Sequence, residues 1–137
     1  MKEDSSDFRT WARRAEMDWK AIPLLSQAAE PQWENAAFHA QQCAEKYLKA
    51  FLISKNWQIK KIHDLTELLA DCVEHDGKLG ALAPDCALLT PFVMSGRYPG
   101  PRSWTTSECE TAFAAAGRIR TEILKRLPFV IPLPPNA

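Results

Sequence analysis

The sequence predicts an all-α protein, an up-and-down bundle of about five helices followed by an extended proline-rich C-terminal arm. Apolar residues recur at intervals of three and four along most of the 137 residues. No segment alternates apolar and polar residues as a half-buried strand does. The length suits one domain, which we place at residues 1–127, with the arm at residues 128–137.

The first helix is predicted to run from about Ser6 into the high twenties. Asp4, Ser5 and Ser6 have short polar side chains that suit the N-cap of a helix. Pro23 lacks the backbone N–H that a helix interior uses, so we expect a kink or a break there. Apolar side chains at helical spacing define the buried stripe: Phe8, Trp11, Ala12, Ala15, Trp19 and Ile22.

The second helix is the clearest element of the pattern. Neither Gly nor Pro occurs from Gln32 to Lys61, and Pro31 suits the first helical turn. We expect the helix to end near Lys55 and Asn56, because asparagine is accepted at helix C-termini. Its apolar stripe consists of Trp33, Ala37, Ala40, Ala44, Tyr47 and Phe51.

The third helix is predicted to open at Asp64, which resembles an N-cap because Glu67 follows three residues later. We expect Gly77 and Gly80 to end it. Its apolar positions are Leu65, Leu68, Leu69, Cys72 and Val73.

Two further helices complete the predicted bundle. The fourth is expected to run from Pro84 through Val93, with a kink at Pro91. The fifth is expected to begin within residues 105–107, where Thr and Ser residues precede glutamates at capping distance. Leu127 and the proline after it end that helix, and the prolines of the arm exclude a helix there.

The formal net charge is zero, but the charges are unevenly distributed. Residues 39–63 contain five lysines and one glutamate, whereas residues 64–96 contain one lysine and six acidic residues. A neutral chain with basic and acidic faces suits an anionic ligand, or a self-complementary partner surface, better than bulk nucleic-acid binding.

Cofactor, metal and membrane signals are absent from the sequence. There is no glycine-rich phosphate loop, Gly-x-Ser-x-Gly turn or His-Glu-x-x-His pair, so we expect no cofactor and no metal. No apolar run approaches the ~18 residues that span a bilayer, and no hydrophobic signal segment follows Met1, so we expect a cytoplasmic protein. Four cysteines without metal-ligand spacing are expected to be buried and reduced: Cys43, Cys72, Cys86 and Cys109.

The polar side of the second helix is the first candidate site. His39, Gln42, Lys46 and Lys49 follow at intervals of three, four and three, so they line up along the helix. One interpretation is a solvated face, on which Glu45 and Lys49 form a pair worth about 0.3–0.5 kcal/mol. The other is a ligand-binding surface.

The second candidate site is the segment Ser-Gly-Arg-Tyr-Pro at residues 95–99. Arg97 offers a planar donor fork that suits phosphate, and Tyr98 offers a ring and a hydroxyl. Alternatively, Arg97 pairs with a carboxylate on an adjacent helix and Tyr98 covers the core. His63 precedes the Asp64 cap, either as a simple helix-entry residue or as a functional one. A zinc site built from His39, His63 and a cysteine lacks the required spacing.

Three segments together resemble the HEPN family of small helical nucleotide-binding domains. They are residues 38–52 (FHAQQCAEKYLKAFL), residues 63–65 (HDL) and residues 96–99 (GRYP). The first helix is similar as well, through Trp11 and the run Ala-Glu-x-Asp that ends at Asp18. The resemblance covers roughly residues 8–125.

The resemblance implies a bundle of about five helices that forms a homodimer, often encoded beside a minimal nucleotidyltransferase in a toxin–antitoxin-type pair. Many relatives are ribonucleases, similar to one another in an Arg followed after four to six residues by a His. Here Arg97 is followed by Tyr98 and Pro99, and no histidine lies beyond His75. The sequence therefore resembles an Arg-Tyr-Pro branch that lacks the usual general acid/base.

Three functions stay open at the level of sequence. The first is a binding module for a nucleotide or RNA phosphate. The second is a metal-independent endoribonuclease in which His39 or His63 transfers protons and Arg97 stabilises charge on the phosphate. The third is a purely structural protein-docking domain. The ligand-binding residues predicted for the first function are His39, Gln42, Lys46, Lys49, Arg97 and Tyr98.

Overall fold

A computed structural model describes residues 6–58, 60–94 and 104–128. No strand occurs in these ranges, and the predicted all-α class with about five helices is confirmed. The segment 95–99 and the arm beyond Pro128 lie outside the described residues. The α-helices are α1 (Phe8–Ser26), α2 (Trp33–Ser54), α3 (Leu65–His75), α4 (Ala83–Leu89) and α5 (Thr106–Leu124).

The first two helices begin slightly later than the sequence predicts. The N-cap of α1 is Asp7, not Ser6, and its carboxylate accepts the backbone N–H of Arg9 at 2.9 Å. Pro31 precedes α2 instead of occupying its first turn, because the N-cap residue Gln32 donates its N–H to the carbonyl of Leu25 at 2.8 Å. That bond holds Pro31 and Gln32 in the turn between α1 and α2, so the helix begins at Trp33.

Pro23 does not break α1, which continues to Ser26. The proline lies in the last turn, where it removes the donor of one helical hydrogen bond. The N–H of Gln27 still reaches the Pro23 carbonyl at 2.9 Å, so the turn closes around the proline. The expectation of a helix break at this position is therefore wrong.

The C-terminus of α2 is closed by Asn56, as the sequence predicts. Asn56 has φ of 64°, and its N–H donates to the Ile53 carbonyl at 3.0 Å. The N–H of Trp57 donates to the Leu52 carbonyl, also at 3.0 Å. These two bonds form a Schellman motif with asparagine in the left-handed position.

The caps of α3 and α5 follow the sequence prediction. The Asp64 carboxylate accepts the N–H groups of Thr66 and Glu67 at 2.9 and 3.3 Å. Thr105 and Glu108 form a capping box, with bonds of 3.0 and 2.9 Å between each side chain and the other backbone.

The segment between α3 and α5 is more broken than predicted. α3 ends at His75, before the two glycines that were predicted to end it, and the chain then forms a 3-10 helix, Gly77–Leu82, which contains both of them. α4 ends at Leu89 instead of extending through Val93. A second 3-10 helix, Thr90–Met94, replaces its expected last turn, because Pro91 cannot donate the α-helical hydrogen bond.

α2 is the central helix of the bundle and packs mainly against α1, then against α5 and α3. Its largest fully buried side chains are Tyr47, Leu48, Phe51 and Leu52. All four cysteines are buried and free, as predicted, and burial raises the pKa of each thiol, at Cys109 to about 11. None of the described helices is both long and apolar enough to span a bilayer.

Candidate functional site

The polar line of α2 faces α1, and it is not a solvated face. Glu45 and Lys49 do form the predicted pair, at 3.0 Å, but their exposed fractions are only 3% and 4%. His39, Gln42 and Lys46 are half-buried. The solvated-face interpretation is therefore wrong, because α1 packs on this side of α2 and places Asp18 against His39 and Lys46.

The carboxylate of Asp18 on α1 binds two residues of this line. Its Oδ1 lies 2.7 Å from Nδ1 of His39, and its Oδ2 accepts a hydrogen bond from Nζ of Lys46, also at 2.7 Å. Asp18 is only 7% exposed. Both of its oxygens are thus used to orient an imidazole and an ammonium group that solvent still reaches.

A second buried carboxylate, Glu45, holds both Lys49 and His63. Oε2 of Glu45 accepts a hydrogen bond from Lys49 and lies 2.9 Å from Nδ1 of His63, whose side chain is 57% exposed. Its Oε1 accepts a longer bond of 3.5 Å from Gln41. The side-chain amide of Gln42 donates to that of Gln41 at 2.8 Å. The two amides therefore connect Glu45 to Gln42 on the polar line of α2.

The two histidines share one arrangement. A carboxylate can only accept hydrogen bonds, so Nδ1 carries the proton in both His39–Asp18 and His63–Glu45. Nε2 of each ring is then the nitrogen left for a ligand or a reacting group. An imidazole held through Nδ1 by a carboxylate is the arrangement that fixes tautomer and orientation in acid–base and ligand-binding sites.

A third carboxylate, Glu16, connects α1, α2 and α5 below the surface. It accepts a hydrogen bond from the hydroxyl of Tyr47. It also accepts two from Arg120, one from Nε at 2.8 Å and one from Nη2 at 2.5 Å. Burial raises the pKa of Glu16, but the hydrogen bonds from Arg120 and Tyr47 outweigh it and hold the pKa below the ordinary 4.5. Burial together with the bond to Glu16 raises the pKa of Tyr47. These three groups bind one another and support the site.

Trp11 forms part of the wall between α1 and α2. Nζ of Lys49 lies 5.3 Å from the centre of its ring, and the guanidinium carbon of Arg14 lies 5.6 Å from it. Cations in this range are attracted to the negative face of an aromatic ring. Arg14 thus lies close to the Lys49–Glu45–His63 cluster, although sequence reasoning assigned it no role.

Sequence reasoning also missed the partners that organise the site, Asp18 and Glu45. One signal was available for Asp18. It continues the apolar stripe of the first helix, four residues before Ile22 and seven after Trp11, and an acidic residue on such a stripe must be paired when it is buried. No comparable signal identified Glu45. Its spacing from Lys49 predicted that pair, but nothing in the sequence predicted its contact with His63.

Arg97 and Tyr98 of the predicted set lie outside the described residues. Of the remaining set, the structure brings His39, Gln42 and Lys46 together on one surface, with Lys49 beneath it and His63 beside it. Within the described ranges, no group of three or more His, Cys, Asp or Glu side chains could hold a metal ion.

Comparisons with known proteins agree on a single family. The family model described as HEPN domain matches residues 8–127. The crystal structure of an archaeal HEPN homologue superposes with a TM-score of 0.71 at 21% identity, covering 93% of this chain and 99% of that one. At this identity, the structural likeness shows the fold alone. No curated protein matches the sequence.

Proposed function

We propose that this chain, which belongs to the HEPN domain family, is a binding module for the phosphate of a nucleotide or an RNA. One observation carries the proposal. Buried carboxylates orient three groups that can meet a phosphate: His39 and Lys46 through Asp18, and His63 through Glu45. The Lys46 ammonium donates directly, whereas Nε2 of each histidine donates in the imidazolium form. Groups fixed before binding lose little freedom when a ligand arrives, and this lowers the cost of association.

The chemistry of the donors suits a phosphate. The Lys46 ammonium has three N–H donors and uses one on Asp18, so two are left for phosphate oxygens. The amide of Gln42 adds a donor beside it, and Nε2 of His39 adds another in the imidazolium form. The carboxylates offset part of the positive charge, so directed hydrogen bonds contribute more to selectivity than net attraction does.

The other residues of the set have different roles in the proposal. Lys49 is too buried for direct contact and supports the site by binding Glu45. For Arg97 and Tyr98 the roles are assigned from the sequence, Arg97 as a fork of donors to phosphate and Tyr98 as a ring against the base or sugar.

Calorimetric titration with ATP, GTP and a short RNA at low salt tests the proposed binding. Removing Lys46 or His39, as Lys46→Met or His39→Ala, should weaken binding about tenfold or more, the usual worth of a charge-assisted hydrogen bond. Lys78→Met, at an exposed lysine on the 3-10 helix after α3, should leave binding unchanged. The absence of heat with all three ligands refutes the proposal.

Family membership supports a homodimer that works with a minimal nucleotidyltransferase in a toxin–antitoxin-type pair, which would place both proteins in the cytoplasm. Light scattering after size-exclusion chromatography measures the dimer, and co-purification with a nucleotidyltransferase encoded beside it measures the pair. A purely structural docking domain is the competing function. Capture of a partner without any nucleotide or RNA binding would favour it.

A second candidate function is a metal-independent endoribonuclease, which the two histidine–carboxylate pairs favour. One histidine Nε2 would accept the proton of a ribose 2′-hydroxyl as this oxygen attacks the phosphorus. The other would donate a proton to the departing 5′-oxygen, and Arg97 would stabilise the charge on the phosphate. The products are then a 2′,3′-cyclic phosphate and a 5′-hydroxyl.

Incubation of the purified protein with total RNA tests the ribonuclease function. Cleavage should fall at least a hundredfold in His39→Ala or His63→Ala, the contribution expected of a general acid or base. It should fall in Arg97→Ala as well. Cleavage that survives all three substitutions would come from a contaminating enzyme.

A further inference from the structure

Several cations at one end of the bundle have no carboxylate partner among the described residues. These are Arg14 on α1 and, in the connection between α2 and α3, Lys55, Lys60 and Lys61, all three of which are exposed. By contrast, Lys46 and Lys49 are each bound to a buried carboxylate. Within the described part of the chain, the cations without a carboxylate partner are therefore outside the polar line of α2 that contains Lys46 and Lys49.

A short series of contacts joins the two groups of cations. Arg14 and Lys49 both lie over the ring of Trp11, at 5.6 and 5.3 Å. Lys49 binds Glu45, which also holds His63 through Nδ1. Arg14 and His63 are thus the two solvent-facing ends of one cluster whose interior is neutral.

An aromatic ring lies within the basic connection. Trp57 is half-buried against the core, and its Nε1 donates to Asp71 on α3 at 3.2 Å, which fixes the ring. Lys55 precedes it and Lys60 and Lys61 follow it. Basic side chains interleaved with a fixed aromatic ring are the combination that binds single-stranded nucleic acids, through phosphate contacts and base stacking.

We infer that these residues form a binding track for a single strand of RNA, which we call the basic track: Arg14, Lys55, Trp57, Lys60, Lys61 and His63. The inference rests on the proposed function and extends it from one phosphate to a chain of them. The cations are distributed over two elements, α1 and the α2–α3 connection. A strand carries one charge per nucleotide and matches such a distribution.

Acidic residues limit the track at its α3 end. Asp64 and Glu67 follow His63, and the Asp64 carboxylate is occupied by the N–H groups that it caps. Asp71 is bound to Trp57. The strand should therefore pass from the Arg14 side across His63 and along the connection, without continuing onto the outer face of α3.

Fluorescence anisotropy with a labelled oligouridine of about 12 nucleotides tests the basic track. The variant Lys60→Gln/Lys61→Gln removes two phosphate contacts, and the control Lys78→Gln/Lys125→Gln removes the same charge from two exposed lysines elsewhere. Each lost contact should lower the slope of log K against log salt by about 0.7, so the slope should fall by about 1.4. Near 0.1 M salt this corresponds to roughly 25-fold weaker binding.

Stacking is tested separately by Trp57→Leu, which should weaken oligouridine binding about five- to 150-fold, while Trp57→Phe keeps most of it. Circular dichroism melting of each variant separates loss of binding from loss of fold. Equal weakening by the control pair, or an unchanged salt slope in Lys60→Gln/Lys61→Gln, overturns the inference. Equal affinity for polyglutamate also overturns it, because the surface would then accept any polyanion.

The outcomes for the basic track and for the proposed function are distinguishable. If ATP or GTP binding depends on Lys46 while the Lys60 and Lys61 substitutions leave oligouridine binding unchanged, the proposed function stands and the track is wrong. If neither the nucleotides nor oligouridine bind the wild-type protein, both are wrong.

Discussion

Replacing Glu16 with glutamine should destabilise the bundle without changing its shape. Glu16 is 5% exposed and accepts hydrogen bonds from Tyr47 of α2 and, through both oxygens, from Arg120 of α5. The glutamine side chain has the same size but has no charge. One of its terminal groups is an amide nitrogen, which can only donate, so it faces a guanidinium or hydroxyl donor unfavourably.

The magnitude follows from what the substitution leaves behind. Removing one partner of a buried ion pair costs about 3–5 kcal/mol, because the other charge stays in place without compensation. The Arg120 side chain is 28% exposed, so water reaches part of the guanidinium and reduces that cost. We therefore expect the free energy of unfolding to fall by about 2–3 kcal/mol.

Urea unfolding at pH 7, followed by circular dichroism, measures the change. The matched control is Glu110→Gln, the same chemical change at an exposed position of α5, which should alter the free energy of unfolding by less than about 0.5 kcal/mol. The partner variant Tyr47→Phe should couple with Glu16→Gln in a double-mutant cycle. A loss at Glu16 no larger than the loss at Glu110 would refute the reasoning.

The pH dependence of the same difference has a definite sign. Since the pKa of Glu16 lies below its ordinary 4.5 in the folded protein, the unfolded chain binds this proton more readily. The stabilisation by Glu16 is then fully present above about pH 4.5 and is lost as the pH falls through the folded pKa. The difference between wild type and Glu16→Gln should be constant from pH 7 to about 5 and shrink below that. A difference that grows on acidification contradicts this assignment.

Substitutions at three further positions test single features of the fold and the site. Asn56→Gly should raise the free energy of unfolding by about 0.5 kcal/mol and Asn56→Ala should lower it by about 1 kcal/mol, because φ is 64° there; urea titration measures both. Thr105→Ala should cost about 1 kcal/mol through loss of the α5 capping box, and an unchanged urea midpoint would exclude that role. Asp18→Asn should keep most of the helical signal in circular dichroism yet weaken ATP or RNA binding about tenfold, because His39 and Lys46 lose their common anchor. Unchanged binding in calorimetry would show that the orientation of these two groups does not matter.

Much of the secondary structure could be predicted because it depends on neighbouring residues. Asp64 caps α3 and Thr105 caps α5 through atoms two or three positions away, and Asn56 closes α2 in the same local way. The errors fell where a distant or competing bond decided the outcome. Gln32 is held by the Leu25 carbonyl, which delays α2. The early end of α4, by contrast, has a local cause, since Pro91 lacks a donor and the chain continues as a 3-10 helix.

The sequence by itself determined the helices, their apolar stripes, the alignment of His39, Gln42, Lys46 and Lys49 along α2, and the segments that resemble the HEPN family. Only the tertiary structure decided which side chains contact these four residues. Periodicity states which side chains share a face of a helix, but it does not state which helix covers that face. The packing of α1 on α2 turned an apparent solvated face into a set of donors held by Asp18 and Glu45, because a charge that leaves water requires a partner.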